Sequence, residues 1–239
     1  MSVQNQYNLT MQGATAGVVE KHLYSKSFPA NDNLEFGRFV RIRNNGTIAP
    51  AGADVIRTTS NITSGTITLT IVKKNLETGS SSTNNLTVPF ATDNNTTYAN
   101  LSTAISGLGD VNATVISESG NSRGISLEPV GDFEFYITAL SMPVNYTIDY
   151  NRLGGVLVYK NNEAGVLKRT ESGEVLLQGV IAVSSVDSDI NYNDNLYIIG
   201  IGAIDDLGKI TKIKNPENYL LGKNLIDNNN GIAIIKVNV

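Results

Sequence analysis

Thr66-Ile67-Thr68-Leu69-Thr70-Ile71 alternates hydroxyl and branched apolar side chains without a break. Successive side chains of an extended chain point to opposite faces, so Ile67, Leu69 and Ile71 share one face, which predicts a half-buried strand. Gly79, three serines, Thr83 and two asparagines then read as a loop, and Leu86 to Phe90 as a second short strand. The period changes next: Leu101, Ala104, Ile105 and Leu108 fall at i, i+3, i+4 and i+7. With candidate caps in Asn94 to Thr97 and breakers at Gly107 and Gly109, that spacing predicts one helix over roughly Thr96 to Ser106. Extended runs resume at Val111 to Ser117, Ile125 to Glu128, Phe133 to Ala139 and Val144 to Tyr150. The implied unit is a β-β-α-β-β module within residues 61–150.

Outside it the texture is strand after strand. Leu34 to Arg43 alternates apolar and polar residues and ends at Asn44-Asn45-Gly46, where Gly46 can supply the positive φ of a tight turn. Beyond Tyr150 come Gly155 to Lys160, Val175 to Ser184, Leu196 to Ile204, Lys209 to Lys214 and Gly231 to Val239. Turns at Asn161-Asn162, Asp205 to Gly208 and Asn228 to Gly231 separate them. The apolar run Val175 to Val183, broken only by Gln178 and Gly179, is the expected core strand. The first thirty residues carry only isolated apolar points, among them Val3, Tyr7, Leu9 and Met11, and read as an irregular arm. The fold class expected is mainly β, a barrel or a sandwich with one helix.

Composition agrees and excludes several functions. The 239 residues suffice for a core without staples, and 29 are asparagine, which suits turns and solvated β faces. There is no cysteine, hence no disulfide framework or thiolate nucleophile. One histidine, His22, cannot build the usual imidazole metal constellations and reads as a packing or surface residue. With 18 basic against 22 acidic residues there is no broad positive field for nucleic acid. No apolar stretch approaches the roughly 18 residues of a spanning helix, and Met1 to Glu20 lack the pattern of a secretion signal. Synthesis in the cytoplasm without membrane association is therefore expected. The N-x-S/T sequons between Asn8 and Asn145 follow from the composition.

Motifs that could carry chemistry fail on context. Gly120-Asn121-Ser122-Arg123-Gly124 satisfies G-x-S-x-G but sits between two β-like runs, where a nucleophile elbow needs a following helix. Asp187-Ser188-Asp189-Ile190-Asn191 opens like a calcium loop, yet Tyr192 stands at the glycine position and Ile198 at the bidentate glutamate position. A weak calcium site of another kind near Asp187 and Asp189 is the open alternative to a polar loop. Gly200-Ile201-Gly202 lacks the third glycine and the helix of a dinucleotide fingerprint, so its glycines point to close packing or a bulge. The ten tyrosines are scattered along the chain. No catalytic residue, cofactor or metal is expected.

Three stretches carry a resemblance: Phe28 to Val40 with its Phe36-Gly37, Leu177-Gln178-Gly179-Val180-Ile181-Ala182-Val183, and Tyr192 to Ile198 leading to a closing apolar strand. Residues 1–60 and 151–239 resemble the structural cement, or decoration, proteins of tailed-bacteriophage capsids. Residues 61–150, with Val111 to Val115 and Ile125 to Leu127, look like a small α+β unit of phage head and tail proteins, inserted into that cement-like domain. The resemblance implies a non-enzymatic virion protein on the outer capsid surface that binds the major capsid protein and bridges capsomers. It also implies a homo-oligomer such as a trimer, with Tyr7, Leu9 and Phe28 as capsid-contacting anchors. The alternative it leaves open is a tail or fibre component, or a host- or carbohydrate-binding module displayed on the virion.

Overall fold

A computed structural model describes residue 17 and residues 19–158, 166–225 and 231–239. In chain order the first strands are β1 (Val19–Pro29), β2 (Leu34–Glu35), β3 (Phe39–Ile42) and β4 (Ile48–Pro50). Next come β5 (Val55–Thr58), β6 (Thr66–Asn75), β7 (Ser81–Pro89), the helix α1 (Asn94–Ser106), β8 (Val111–Glu118), β9 (Asn121–Pro129), β10 (Phe133–Ser141) and β11 (Tyr146–Asp149). The chain then forms β12 (Leu153–Leu157), β13 (Val166–Leu167), β14 (Ser172–Ser184), β15 (Asn195–Ile199), β16 (Ile210–Thr211), β17 (Asn218–Lys223) and β18 (Ile232–Asn238).

The expected core strand is the organising one. β14 is paired along one edge by β1, from Val19 opposite Ile181 to Pro29 opposite Ser172. Its other edge is shared: β12 takes Val175 and Leu176, and β18 takes Gln178 to Ser184. From β12 the sheet continues through β3 to β4. Consecutive positions Val180 to Val183 are all buried, so both faces are covered there, which explains the nearly continuous apolar run. Ile181 and Val183 enter one core cluster together with Leu196 and Ile198 of β15, whereas Val180 and Ala182 pack with Ile234 in another. The three-stranded sheet β16-β15-β17 therefore shares a core with the six-stranded sheet. No closed barrel is found among the described residues, and the mainly β architecture is one of several open sheets.

The part of the N-terminal region expected as an irregular arm contains a strand. Residues 19–29 form β1, whose hydrogen-bonding partners lie about 150 positions away, beyond the reach of local periodicity. It is the sheet's edge strand, and where its register with β14 shifts around Tyr24, Leu23 is 51% and Tyr24 54% exposed.

The middle of the chain supplies most of a second core, to which Ile201 of the outer region also contributes. Ile67, Leu69 and Ile71 are buried as the alternation requires, against Leu101 and Ile105 of α1 and Phe135 and Ile137 of β10. The helix is capped by Asp93, one residue before the expected caps, whose side chain accepts from the Thr96 backbone N at 2.7 Å. The serine- and asparagine-rich stretch expected as a loop is largely β7, paired with β6 residue by residue from Ser81 opposite Lys74 to Pro89 opposite Thr66. The module also begins earlier than residue 61: β5 is an interior strand of the sheet β11-β5-β9-β8, and Ile56 lies in the same core cluster as Ile67. The cause is pairing, because Val55 to Arg57 bond to β9 and Val55 to Thr58 to β11.

Gly155 marks the tightest strand contact. A Cβ there would stand 1.6 Å from the Leu176 carbonyl oxygen, on a strand whose register with β3 shifts between Leu153 and Val156. Gly155→Ala is expected to destabilise the protein by about 1–3 kcal/mol through backbone displacement. Urea denaturation checks this: an unchanged midpoint would mean that β12 accommodates the methyl group without strain.

Candidate functional site

The two regions meet on buried charge. Arg41 and Arg43 stand two residues apart at β3, on the same face of the extended chain, and both are buried. Across from them stand Asp54, just before β5, and Glu134 of β10. Arg41 donates from Nη1 to Asp54 Oδ1 at 2.6 Å and to the Gly52 carbonyl at 2.7 Å, and from Nη2 to Glu134 Oε1 at 2.8 Å and the Phe135 carbonyl at 2.6 Å. Arg43 donates from Nε to Glu134 Oε2 at 3.0 Å and from Nη1 to Asp54 Oδ1 at 3.0 Å, and its Nη2 also reaches Glu134 Oε1. The Phe135 ring lies 4.9 Å from the Arg41 guanidinium carbon and 5.1 Å from that of Arg43. Beside this network Asp32 accepts from Lys74 Nζ at 2.7 Å and from the Tyr136 hydroxyl at 3.0 Å.

Burial alone would raise the Glu134 carboxyl, but the Arg43 and Arg41 charges, with hydrogen bonds from Arg43 and the Phe135 N–H, outweigh it and hold the group below the usual carboxylate range. Both Glu134 oxygens are engaged by guanidinium donors, so the group is poorly placed to accept a proton in a reaction. The arrangement is a clasp: two cations and two anions, supplied by both regions and mutually neutralising.

Open surface chemistry gathers elsewhere. A cleft of about 650 Å³ lies along the same seam, between β11 of the module and β17 of the outer region. Tyr146, Tyr197 and Tyr219, from β11, β15 and β17, line it together with Asp149 and Asn218. Tyr219 packs edge-on against the buried Tyr150, with ring centroids 5.4 Å apart and planes at 74°. The Tyr146 hydroxyl donates to the Leu140 carbonyl at 3.4 Å, and burial, assisted by the Glu217 charge, pushes its pKa up to about 12. Burial also raises the Glu217 carboxyl. A second groove, of about 470 Å³, shares Asp149, Tyr219 and Leu220 with the first. The tyrosines are scattered in the sequence, and only the tertiary fold brings positions 146, 197 and 219 to one cleft.

The residues singled out in the sequence are placed differently. Tyr7 and Leu9 lie outside the described residues. Phe28 is 8% exposed and packs with Leu34, Leu157 and Val175, so its ring serves the core and offers little to a partner. The exposed apolar side chains on its strand are Leu23 and Tyr24. Ser122 sits in the β8–β9 hairpin, buried, with its backbone N–H donating to Asn95 Oδ1 at 2.7 Å and its carbonyl accepting from Asn94 Nδ2 at 2.7 Å. The Asp187 carboxylate accepts from Thr211 Oγ1 at 2.8 Å and Lys212 N at 2.7 Å. Asp189 pairs with Lys212 Nζ at 2.6 Å. A lysine ammonium therefore stands where a calcium site would need its cation. Among the described residues no group of three His, Cys, Asp or Glu is placed to hold a metal. Among the described residues no helix is long and apolar enough to cross a membrane. No protein-family model, curated protein or solved structure matches the chain.

Removing one member of a buried charge cluster leaves the others uncompensated, so Glu134→Gln is expected to cost about 3–5 kcal/mol near neutral pH. Because the folded-state pKa of Glu134 is depressed, its contribution is present above the ordinary value of 4.5 and is lost as pH falls through the folded value. Urea midpoints of wild type and variant should therefore converge in acid. A gap independent of pH would show that charge is not what the residue supplies.

Proposed function

We propose that the chain is a non-enzymatic virion structural protein that binds the outer surface of a tailed-phage capsid and braces neighbouring capsomers. The observation that carries this reading is the clasp of Arg41, Arg43, Asp54 and Glu134, which fastens the module to the outer region through buried bonds to both. A load-bearing clamp needs such stiffness, because a hinge between its parts would absorb the strain it is meant to resist.

The contact surface in this reading begins at β1. That strand is paired with β14 from Val19 to Pro29, with register shifts on both sides of Tyr24, and exposes Leu23 and Tyr24. On a shell the same modest contact recurs at every symmetric position, and linkage through a closed oligomer such as a trimer multiplies weak contacts into avid binding. The partner is the major capsid protein.

Co-sedimentation with expanded and unexpanded capsids tests the proposal. Purified protein is expected to pellet with expanded capsids, and Leu23→Asp with Tyr24→Ala to reduce the bound fraction at least severalfold while leaving thermal unfolding unchanged. Binding to neither capsid form overturns it, and labelling of tails in imaged virions would assign the chain to the tail instead.

A further inference from the structure

We propose that the tyrosine-lined cleft between β11 and β17 is a carbohydrate-binding site, taking neutral pyranose units of a linear glycan. A pyranose presents apolar C–H faces and a rim of hydroxyls, so it asks for aromatic rings flanked by hydrogen-bonding groups of both senses. The cleft supplies this combination. Tyr146 and Tyr219 are half-buried and contribute ring surface whose ordering is already complete, while Tyr197, 7% exposed, backs them from beneath. Tyrosine suits such a surface, with an apolar body and a polar tip.

The rim supplies the polar complement. Thr147, Asp149, Asn215 and Asn218 bring a hydroxyl, a carboxylate and two amides to the cleft. The amides are fixed in advance: Asn218 Nδ2 donates to the Ile213 carbonyl at 3.0 Å, and Asn215 Oδ1 accepts from the Glu217 backbone N–H at 3.0 Å. Groups held before a ligand arrives lower the ordering cost of binding.

Charge and shape select the class. Arg57 and Lys214 on the lining are balanced by Asp149 there and by neighbouring Glu217, and Arg57 is further paired with Glu118 at 3.2 Å. No net field favours an acidic ligand. The volume of about 650 Å³ lies within the ordinary range for small-ligand pockets. An added peptide strand would find only short edges, four residues in β11 and six in β17. The second groove continues past Asp149, Tyr219 and Leu220, so an oligosaccharide has somewhere to extend.

The isolated protein suffices for the test, which is thus independent of any capsid. With ten tyrosines and no tryptophan, its intrinsic emission reports on tyrosine alone. Fluorescence titration with maltohexaose and chitohexaose is combined with an array of neutral and acidic oligosaccharides built from glucose, galactose, rhamnose and N-acetylhexosamines. At least one neutral glycan is expected to bind. Tyr219→Ala should weaken it by about tenfold or more, roughly 1.4 kcal/mol. Tyr219→Phe should retain most of the affinity, and Tyr24→Ala all of it. Asn215→Ala, on the exposed loop, gives a second cleft variant should Tyr219→Ala unfold, and should also weaken binding. A blank array at millimolar glycan, binding confined to acidic members, or affinity unmoved in both cleft variants overturns the proposal. Loss of capsid co-sedimentation in these variants with a blank array would reassign the cleft to a protein contact.

Discussion

The structure depends on two guanidinium groups that share two carboxylates out of contact with water. Arg41 and Glu134 are both 0% exposed, and their partners Arg43 and Asp54 are buried nearly as deeply. Such a cluster adds little net stability over an apolar packing of equal volume, since the four charges must first be stripped of water. Its value lies in the asymmetry: with all four present each charge meets its opposite, only Arg41 Nε lacking a hydrogen-bond partner, whereas any arrangement lacking one leaves a charge stranded. Alternative seatings of the module on the outer region are thereby penalised. Phe135 reinforces the choice, because both guanidiniums lie near the same ring.

The seam fixed in this way sets the positions of the surrounding elements. Gly202 N donates to the Ile137 carbonyl at 3.3 Å, stitching the outer region to the module by a backbone bond, and Ala53 N donates to the Gly200 carbonyl at 2.8 Å just before β5. Gly200 permits the approach: a Cβ there would lie 2.2 Å from Ile148 Cδ1 and 2.9 Å from the Tyr150 hydroxyl. Close packing is thus the role of Gly200, whereas Gly202 takes a φ of 151° with no tight contact, and the pair only superficially resembles a nucleotide motif. Tyr150 and Tyr219 then meet across the same seam, and the cleft opens beside them. Its geometry is a consequence of how the two regions are clasped.

Elements whose partners are close in sequence, or whose apolar pattern is strong, were legible. The alternation of Thr66 to Ile71, the spacing of Leu101 to Leu108 and the apolar run of β14 each predict the observed element and the buried face. Gly46 takes the positive φ, 80°, that its turn needs. What sequence could not show is what covers a face. Alternation in Leu34 to Arg43 ordinarily leaves the arginines in water, yet Glu134 and Asp54 arrive from 93 and 13 positions away to bury Arg41. β1 was missed because an edge strand is defined by its partner more than by its own pattern. The first half of β7 reads as a loop because its serines and asparagines occupy a largely solvated strand held by β6, while Leu86 to Pro89 is the strand expected there. Tyr219 lies on β17, a strand whose mixed burial carries no clean period.

These observations connect the two proposals through one mechanical path. A load applied at Leu23 or Tyr24 enters β1, crosses the ladder to β14 and passes through β12 to β3. From β3 the route into the module runs through Arg41 and Arg43 to Glu134 on β10. Each link is a backbone ladder or a buried charge-assisted bond, the kinds of contact that resist displacement most strongly. The cleft depends on the same connection, since its walls belong one to the module and one to the outer region. Loosening the clasp would soften the brace and misalign Tyr146 against Tyr219 together. Rigidity demanded by one role is the preorganisation demanded by the other, which is why a single buried network can serve both without a moving part.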